Sequence, residues 1–401
     1  MDLFAPLMRV YASGEPVGND ALYRHLREQG NIPHPARTPI GKAGELHDPA
    51  TRKVRWWQQT AKHLGLIEKV PGTRGMWRAT EKGRSARPDL TPSPHRVRVL
   101  GFSTDLGLAI WGEATDVFRR LDEPIHLCLS SLPYPLARAR AYGGPQEHEY
   151  VDWVCQVLEP VVASLAPGGS IALNVTNDAF LSRSPARSLY RERLVLALHQ
   201  RLGLFKMDEL IWSNPSKPPG PIQYASLQRM QLNTGWEPVY VFSNDPARSF
   251  ADNRRVLQPH SARHKRLLAA GGEQRHTSYG DGAYRLRPGA YGNETQGRIP
   301  KNVLQFGHRC RSQDEARRAV QLAGLPVHSA LMPLALATFL VEFLTAKEQL
   351  VVDPCAGWMT SGLAAQTTDR RWMCTERMLE YVLGGSYRFE AEQGFRRQLT
   401  A

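Results

Sequence analysis

The 401-residue sequence holds no apolar run approaching the roughly 18 uninterrupted residues that cross a bilayer. Its start, Met1-Asp2-Leu3-Phe4, lacks a basic stretch followed by an apolar one, so no secretory leader is expected. Both absences exclude a membrane partner and predict a soluble, cytoplasmic chain. Cysteine is sparse. The five residues Cys128, Cys155, Cys310, Cys355 and Cys374 lie far apart with no Cys-x-x-Cys spacing, which argues against a disulfide framework and predicts no metal site. Internal repeats are absent too. Negative charge is in the minority, with 38 Asp+Glu against 51 Lys+Arg and a formal net charge of +13.

That imbalance favours a polyanionic partner, and its distribution is uneven. Between Asp252 and Arg311 stand twelve basic residues (Arg254, Arg255, Arg263, Lys265, Arg266, Arg275, Arg285, Arg287, Arg298, Lys301, Arg309, Arg311) and four acids (Asp252, Glu273, Asp281, Glu294). This segment supplies +8 of the +13.

The length predicts one large α/β domain with smaller additions. Residues 1–83 form a candidate α+β unit, 84–97 a Ser-, Arg- and Pro-rich linker, and 245–324 a basic insert that splits an α/β body into 98–244 and 325–401. In the first unit Leu3, Leu7, Met8 and Tyr11 have helical spacing, Ala21–Leu26 predicts a second helix and Ala50–Leu64 a third. The runs Leu66–Val70 and Met76–Thr80 around Pro71-Gly72-Thr73-Arg74-Gly75 predict a hairpin. In the body, strands are expected at Ala109–Trp111, Ile125–Leu129, Ser170–Val175, Glu209–Trp212, Val239–Phe242, Leu350–Val352 and Trp372–Glu376. Helices are expected at Tyr150–Leu165, Ser188–Leu202, Ala330–Leu344 and from Thr360.

Two strand ends carry the candidate chemistry. Val351-Val352-Asp353-Pro354-Cys355-Ala356-Gly357, followed by Thr360-Ser361-Gly362, is a strand, a tight turn of small residues and a helix start. Small residues let backbone approach a ligand, and a helix N-terminus offers free N–H groups. Glu376, at the end of the next strand, stands where an acid would bind a ribose hydroxyl pair. The dense glycine pattern of a dinucleotide site is missing, so a nucleoside without pyrophosphate fits better. The second segment, Ser131-Leu132-Pro133-Tyr134, offers a hydroxyl, a backbone carbonyl in a proline-stiffened turn and an aromatic face. An exocyclic amine on a base taken out of its stack needs two acceptors and a platform, and these residues supply them.

With these motifs in this order, the chain resembles a beta-class DNA amino-methyltransferase from about Leu100 to Phe389. In that family a Ser/Asp-Pro-Pro-aromatic motif precedes the target-recognition region and an Asp-Pro-Phe-Ala-Gly-type motif follows. Trp111-Gly112-Glu113-Ala114, Pro167–Asn174, Trp236–Phe242 and His328-Ser329-Ala330-Leu331-Met332-Pro333 resemble further family segments. The first unit resembles the N-terminal winged helix of some restriction-system proteins, in Val54-Arg55-Trp56-Trp57 through Gly65-Leu66-Ile67 and in Trp77–Gly83.

The resemblance implies S-adenosyl-L-methionine (AdoMet) held by Asp353, Pro354, Cys355, Ala356, Gly357, Thr360, Glu376, His328 and Ser329. Ser131 and the Leu132 carbonyl would orient the amine, with Pro133 stiffening the turn and Tyr134 stacking on the base. Only one strand is expected after Asp353, so the implied fold is a Rossmann-like sheet circularly permuted from the standard order. Double-stranded DNA would be met by Arg52, Lys53 and Arg55 on the third helix with Arg74 at the wing tip, and by Arg263, Lys265 and Arg266 of the insert acting in target recognition. Ser131 favours cytosine N4 by family association. Adenine N6, or a DNA binder whose methyltransferase domain no longer transfers methyl groups, are the alternatives. A cognate restriction endonuclease is the further partner implied, and either a monomer or a homodimer is compatible. The chain departs from the family at Leu132, where proline is usual, at Ser329, and at Trp358-Met359, two bulky residues expected either to narrow the cofactor crevice or to cover it.

Overall fold

A computed structural model of the chain describes residues 3–35, 38–40, 45–86, 89–136, 140–280 and 282–399. Arg87 and Pro88 of the expected linker and Asp281 of the basic segment lie outside the described residues.

Three helices open the chain: α1 (Phe4–Tyr11), α2 (Asn19–Glu28) and α3 (Pro49–His63). The third begins where the sequence favours it. Pro49 has the fixed φ of a first turn, and the Asp48 carboxylate accepts the Ala50 N–H at 2.9 Å. Strands β1 (Val17–Gly18), β2 (Ile67–Lys69) and β3 (Met76–Ala79) pair antiparallel in the order β1-β3-β2, so the expected hairpin is present. Leu7, Tyr11, Leu22, Leu26, Val54 and Trp77 close a core of their own beneath these elements.

The body is one ten-stranded mixed sheet. Its strands are β4 (Arg98–Ser103), β5 (Gly107–Gly112), β6 (Ile125–Ser130), β7 (Leu165–Asn174), β8 (Phe205–Ser213), β9 (Trp236–Ser243), β10 (Val303–Gln305), β11 (Leu350–Asp353), β12 (Arg371–Glu376) and β13 (Arg396–Arg397). They lie in the order β10-β8-β9-β7-β6-β11-β12-β5-β4-β13. The central β7-β6-β11-β12-β5 are parallel. Continuous apolar runs such as Leu127-Cys128-Leu129 and Val351-Val352 suit that position, because a parallel strand is covered on both faces. One face is covered by α4 (Tyr150–Ala163) and α5 (Tyr190–Leu202) through Val154, Leu158, Leu194 and Leu198. The other is covered by α8 (Leu334–Leu344) and α9 (Thr360–Gln366) through Leu336, Leu340, Leu363 and Ala364. Between β8 and β11 also come α6 (Ala262–Ala269) and α7 (Arg311–Leu322), and α10 (Leu379–Ser386) follows β12.

The connection from β6 runs through α4 to β7 on one side, and that from β11 runs through α9 to β12 on the other. The carboxyl ends of β6 and β11 therefore flank the point where the winding reverses, which is where open α/β sheets leave a crevice.

Four sequence expectations change in detail. Strand β4 was missed because its alternation is broken by Gly101, next to the register shift between Leu100 and Phe102. Two strands, not one, follow Asp353, since the two-residue β13 pairs with β4 and ends the sheet. The basic segment does not stay outside the body: Val303–Gln305 joins the sheet edge beside β8, and Ala316 and Val320 of α7 pack with Tyr381 and Leu383 of α10. The end of the linker is pinned, because the Thr91 N–H and hydroxyl donate to Glu380 at 2.6 and 2.8 Å and the Ser93 N–H donates to the Arg377 carbonyl at 2.8 Å. Among the described residues no helix is long and apolar enough to cross a membrane.

Candidate active site

Register brings the two motif loops together. Val351 pairs with Leu127 and Val352 with Cys128, so β6 and β11 end side by side, and Ser130 Oγ donates to Asp353 Oδ1 at 2.7 Å. Above them opens a cleft of about 1010 Å³. Ser131, Leu132, Pro133, Tyr134, His328, Ser329, Asp353, Pro354, Cys355, Ala356, Gly357, Thr360 and Glu376 all line it.

Its floor is acidic. Asp353 accepts three hydrogen bonds, from Ser130 Oγ, from Ser361 Oγ at 2.6 Å and from the Cys355 N–H at 3.0 Å. Burial outweighs these donors and pushes its carboxyl up to about 6. Glu376 accepts the Gly357 N–H at 2.8 Å and the Met378 N–H at 2.7 Å, which ties β12 to the turn after β11. Burial again dominates, with a smaller contribution from Asp353, and its carboxyl rises to about 7.

His328 forms a second wall. It stacks on Tyr142 with ring centroids 5.6 Å apart and meets Tyr381 at 4.5 Å. Its Nδ1 accepts the Ala330 N–H at 3.2 Å, so the neutral ring carries its proton on Nε2. Burial, reinforced by Arg140, Arg317 and Arg388, pushes its pKa down to about 3, and the ring is neutral near pH 7. The Nε2 side faces the cofactor-type turn. A Cβ on Gly357, whose φ is +53°, would stand 2.8 Å from Nε2. Glycine is required there on both counts.

Trp358 and Met359 neither narrow nor cover the crevice. Both are fully buried, Trp358 against Val320 and Leu383 and Met359 in the cluster of Leu336 and Leu363. Met359 holds a left-handed conformation (φ 56°, ψ 40°) that opens α9 and turns the two side chains away from the cleft. The buried Arg388 guanidinium braces this turn, donating to the Trp358 carbonyl at 2.8 Å and to Thr360 Oγ1 at 2.7 Å. Leu132 likewise sends its side chain into the core beside Tyr150 and Val154.

On the β6 side a polar chain runs away from Ser131. Ser131 Oγ lies 3.0 Å from the Tyr134 hydroxyl, which is 2.8 Å from Asn174 Oδ1 and 3.1 Å from Glu237 Oε2. Glu237 Oε1 accepts from Lys217 Nζ at 3.1 Å, and Lys217 also pairs with Asp178 at 3.1 Å. Tyr134 has one hydroxyl proton for two acceptors, so the Ser131 hydroxyl can donate to the Tyr134 oxygen and keep its own lone pairs free. Burial holds the Tyr134 phenol well above its usual pKa, and it stays protonated. Asn174, Glu237, Lys217, Tyr142 and Tyr381 also line the cleft, and sequence reasoning assigned none of them a role there. Asn174 and Glu237 do sit in segments that carried a resemblance. Lys217, Tyr142 and Tyr381 belong to no motif, and only the folded chain brings them together.

None of the seven basic residues expected to meet DNA lines this cleft. Arg52, Lys53 and Arg55 are exposed on α3 beside an exposed Trp56, and Arg74 is exposed in the turn between β2 and β3. Arg55 Nε donates to the Tyr23 hydroxyl at 3.0 Å. Arg263, Lys265 and Arg266 are exposed on α6, which Ser261 caps by accepting the His264 N–H.

The architecture has known counterparts. Residues 125–384 match the family model of N6/N4 methyltransferases, described as DNA methylase. The Type II methyltransferase M.PvuII of Proteus hauseri is 30% identical over 295 residues, covering 72% of this chain and 85% of that protein. The solved structure of the PvuII DNA methyltransferase (cytosine-N4-specific) superposes with a TM-score of 0.55 at 26% identity, covering 72% of this chain and 87% of that one. With the family match spanning both cleft-forming strand ends, the chain belongs to the N6/N4 DNA methylase family.

Proposed function

We propose that this chain transfers a methyl group from AdoMet to the N4 amine of a cytosine flipped out of double-stranded DNA. The observation that carries the reading is the meeting of the Ser131 and Asp353 loops in one cleft, joined through Ser130. Ser131 in place of an aspartate, and the cytosine-N4-specific relative, favour cytosine over adenine.

The residues present suit AdoMet. Two buried carboxylates with raised pKa values disfavour ionisation, and a cationic ligand offsets that penalty. Glu376 retains lone pairs for a ribose hydroxyl pair, and Gly357 leaves beside His328 the space a Cβ would fill. When bound, AdoMet supplies a methyl group activated by its positively charged sulfur.

On the base side, the lone pairs of Ser131 and the Leu132 carbonyl are the two acceptors for the amine hydrogens. Tyr134 offers a ring face whose position is fixed by the bonds of its hydroxyl to Asn174 and Glu237. Positioning is then the main catalytic contribution, since direct displacement at a methyl carbon needs alignment more than acid–base work.

The order of the elements supports a circularly permuted sheet, because the turn that would hold the cofactor follows the strand of the base pocket by more than two hundred residues and still lies next to it. Three helices and a hairpin with exposed Arg52, Lys53, Arg55 and Arg74 support a winged-helix module over residues 1–83. The exposed basic α6 supports a part in target recognition for Arg263, Lys265 and Arg266. The test is transfer of tritium from labelled AdoMet to mixed-sequence duplex DNA. Incorporation by the wild type, reduced on the order of 10²-fold in Ser131→Ala, is expected. DNA binding without incorporation would overturn the reading.

A further inference from the structure

Lys217 lines the cleft at the far end of the chain of hydrogen bonds that starts at Ser131. It reaches there from the Asn214–Pro218 turn after β8, which the antiparallel excursion β8–β9 folds back over the site. The side chain is largely enclosed, 19% exposed, and its ammonium is held between Asp178 and Glu237 at 3.1 Å each. Neither carboxylate stands alone. Asp178 also accepts the Thr234 hydroxyl at 2.6 Å and faces Arg187 at 3.6 Å, while Glu237 takes the Tyr134 contact. The cation is thus fixed in place, and an ammonium has three N–H donors, of which these carboxylates take two.

We propose that Lys217 is a specificity-determining residue that donates its third N–H to O2 of a target cytosine. This inference rests on reading the cleft as a base-methylating site. An amine held at Ser131 and Leu132 does not by itself distinguish cytosine from adenine, since both bases offer the same NH₂ group. The rest of the edge does distinguish them. Cytosine continues from its amine to N3 and then O2, both acceptors; adenine matches N3 with its own acceptor N1 but then has a C2–H, which accepts nothing, where cytosine has O2. A fixed cationic donor at the O2 position is satisfied by cytosine and left without a partner by adenine. A buried polar group left unpaired is what makes such discrimination large.

The test uses the full-length protein and duplexes that differ only in carrying cytosine or adenine at the target position. Wild type, Lys217→Met and Lys217→Arg are compared for methyl transfer, with AdoMet binding measured by calorimetry as a check on folding. In Lys217→Met, cytosine turnover is expected to fall about 10- to 100-fold, the range for losing a hydrogen bond to a charged group. Adenine turnover should change little, so the cytosine-to-adenine ratio collapses. Lys217→Arg keeps the cation and should keep the preference. If Lys217→Met loses AdoMet binding, it has unfolded, and Lys217→Arg with the wild-type ratio supports the proposal while a lost ratio removes it. Equal losses on both bases in a folded Lys217→Met, or an unchanged cytosine rate, overturn the inference and leave the methyltransferase reading intact. No transfer by the wild type removes both.

Discussion

Glu376 is the residue at which the electrostatics of the cleft can be measured in solution. The residue is 8% exposed and its carboxyl pKa is raised from 4.5 to about 7, chiefly by burial. A raised carboxylate pKa means that the folded state binds the proton more tightly than the unfolded chain. Stability is therefore unaffected by this group below about pH 4.5 and declines as pH rises, with the full loss reached above about 7. The shift corresponds to about 3 kcal/mol at about 1.36 kcal/mol per pH unit, of which about 2 kcal/mol falls between pH 5.5 and 8.5. Glu376→Gln cannot ionise. Its amide oxygen accepts only one of the two N–H groups that Glu376 holds, so the variant carries a roughly constant offset of about 1–3 kcal/mol. Urea unfolding of both proteins across this range should show the wild type losing about 2 kcal/mol relative to the variant as pH rises. Contributions from Asp353 and His328 largely cancel in that difference. Parallel pH curves would refute the reasoning, because they would mean that Glu376 titrates as an exposed carboxylate does.

The same acid should couple to the cofactor: ribose hydroxyls stabilise its ionised form, so AdoMet affinity rises with pH through 7 in the wild type and loses that slope in Glu376→Gln, as read by calorimetry. Gly357→Ala places a methyl group against His328 at a φ of +53°, and should lower AdoMet affinity by at least about 10-fold while costing about 1–3 kcal/mol in stability. Tyr134→Phe removes the hydroxyl between Ser131, Asn174 and Glu237, and is expected to lower kcat more than AdoMet affinity. Replacing Arg263, Lys265 and Arg266 together by Ala should weaken DNA binding and flatten the dependence of log K on log salt by up to about 2.7, at about 0.9 per phosphate contact. An unchanged slope would argue against phosphate contacts by α6.

Much of this site could be read before folding because its motifs lie at strand ends. Leu127–Leu129 and Leu350–Val352 are continuous apolar runs, which marks them as buried strands, and the polar residues that follow must then lie at the sheet's carboxyl edge. Glu376 was legible for the same reason. Trp358 and Met359 were not, since nothing in a sequence tells whether a bulky residue in a turn points into a cleft or under it; the left-handed backbone at Met359 decides that. Strand β10 was hidden inside a segment defined by charge, because three residues that pair at a sheet edge leave no periodic signature. Lys217 reaches the cleft only through the fold of an irregular segment rich in Pro, Gly and Gln, and no local pattern announces it.

The central claim is the transfer of a methyl group to cytosine N4, and nucleoside mass analysis of duplex DNA incubated with the protein and AdoMet tests it most directly. The account predicts N4-methyl-deoxycytidine, reduced on the order of 10²-fold when Ser131→Ala replaces the wild type. N6-methyl-deoxyadenosine in its place would contradict the assignment of the base, and unmodified nucleosides with DNA binding intact would contradict the claim of catalysis.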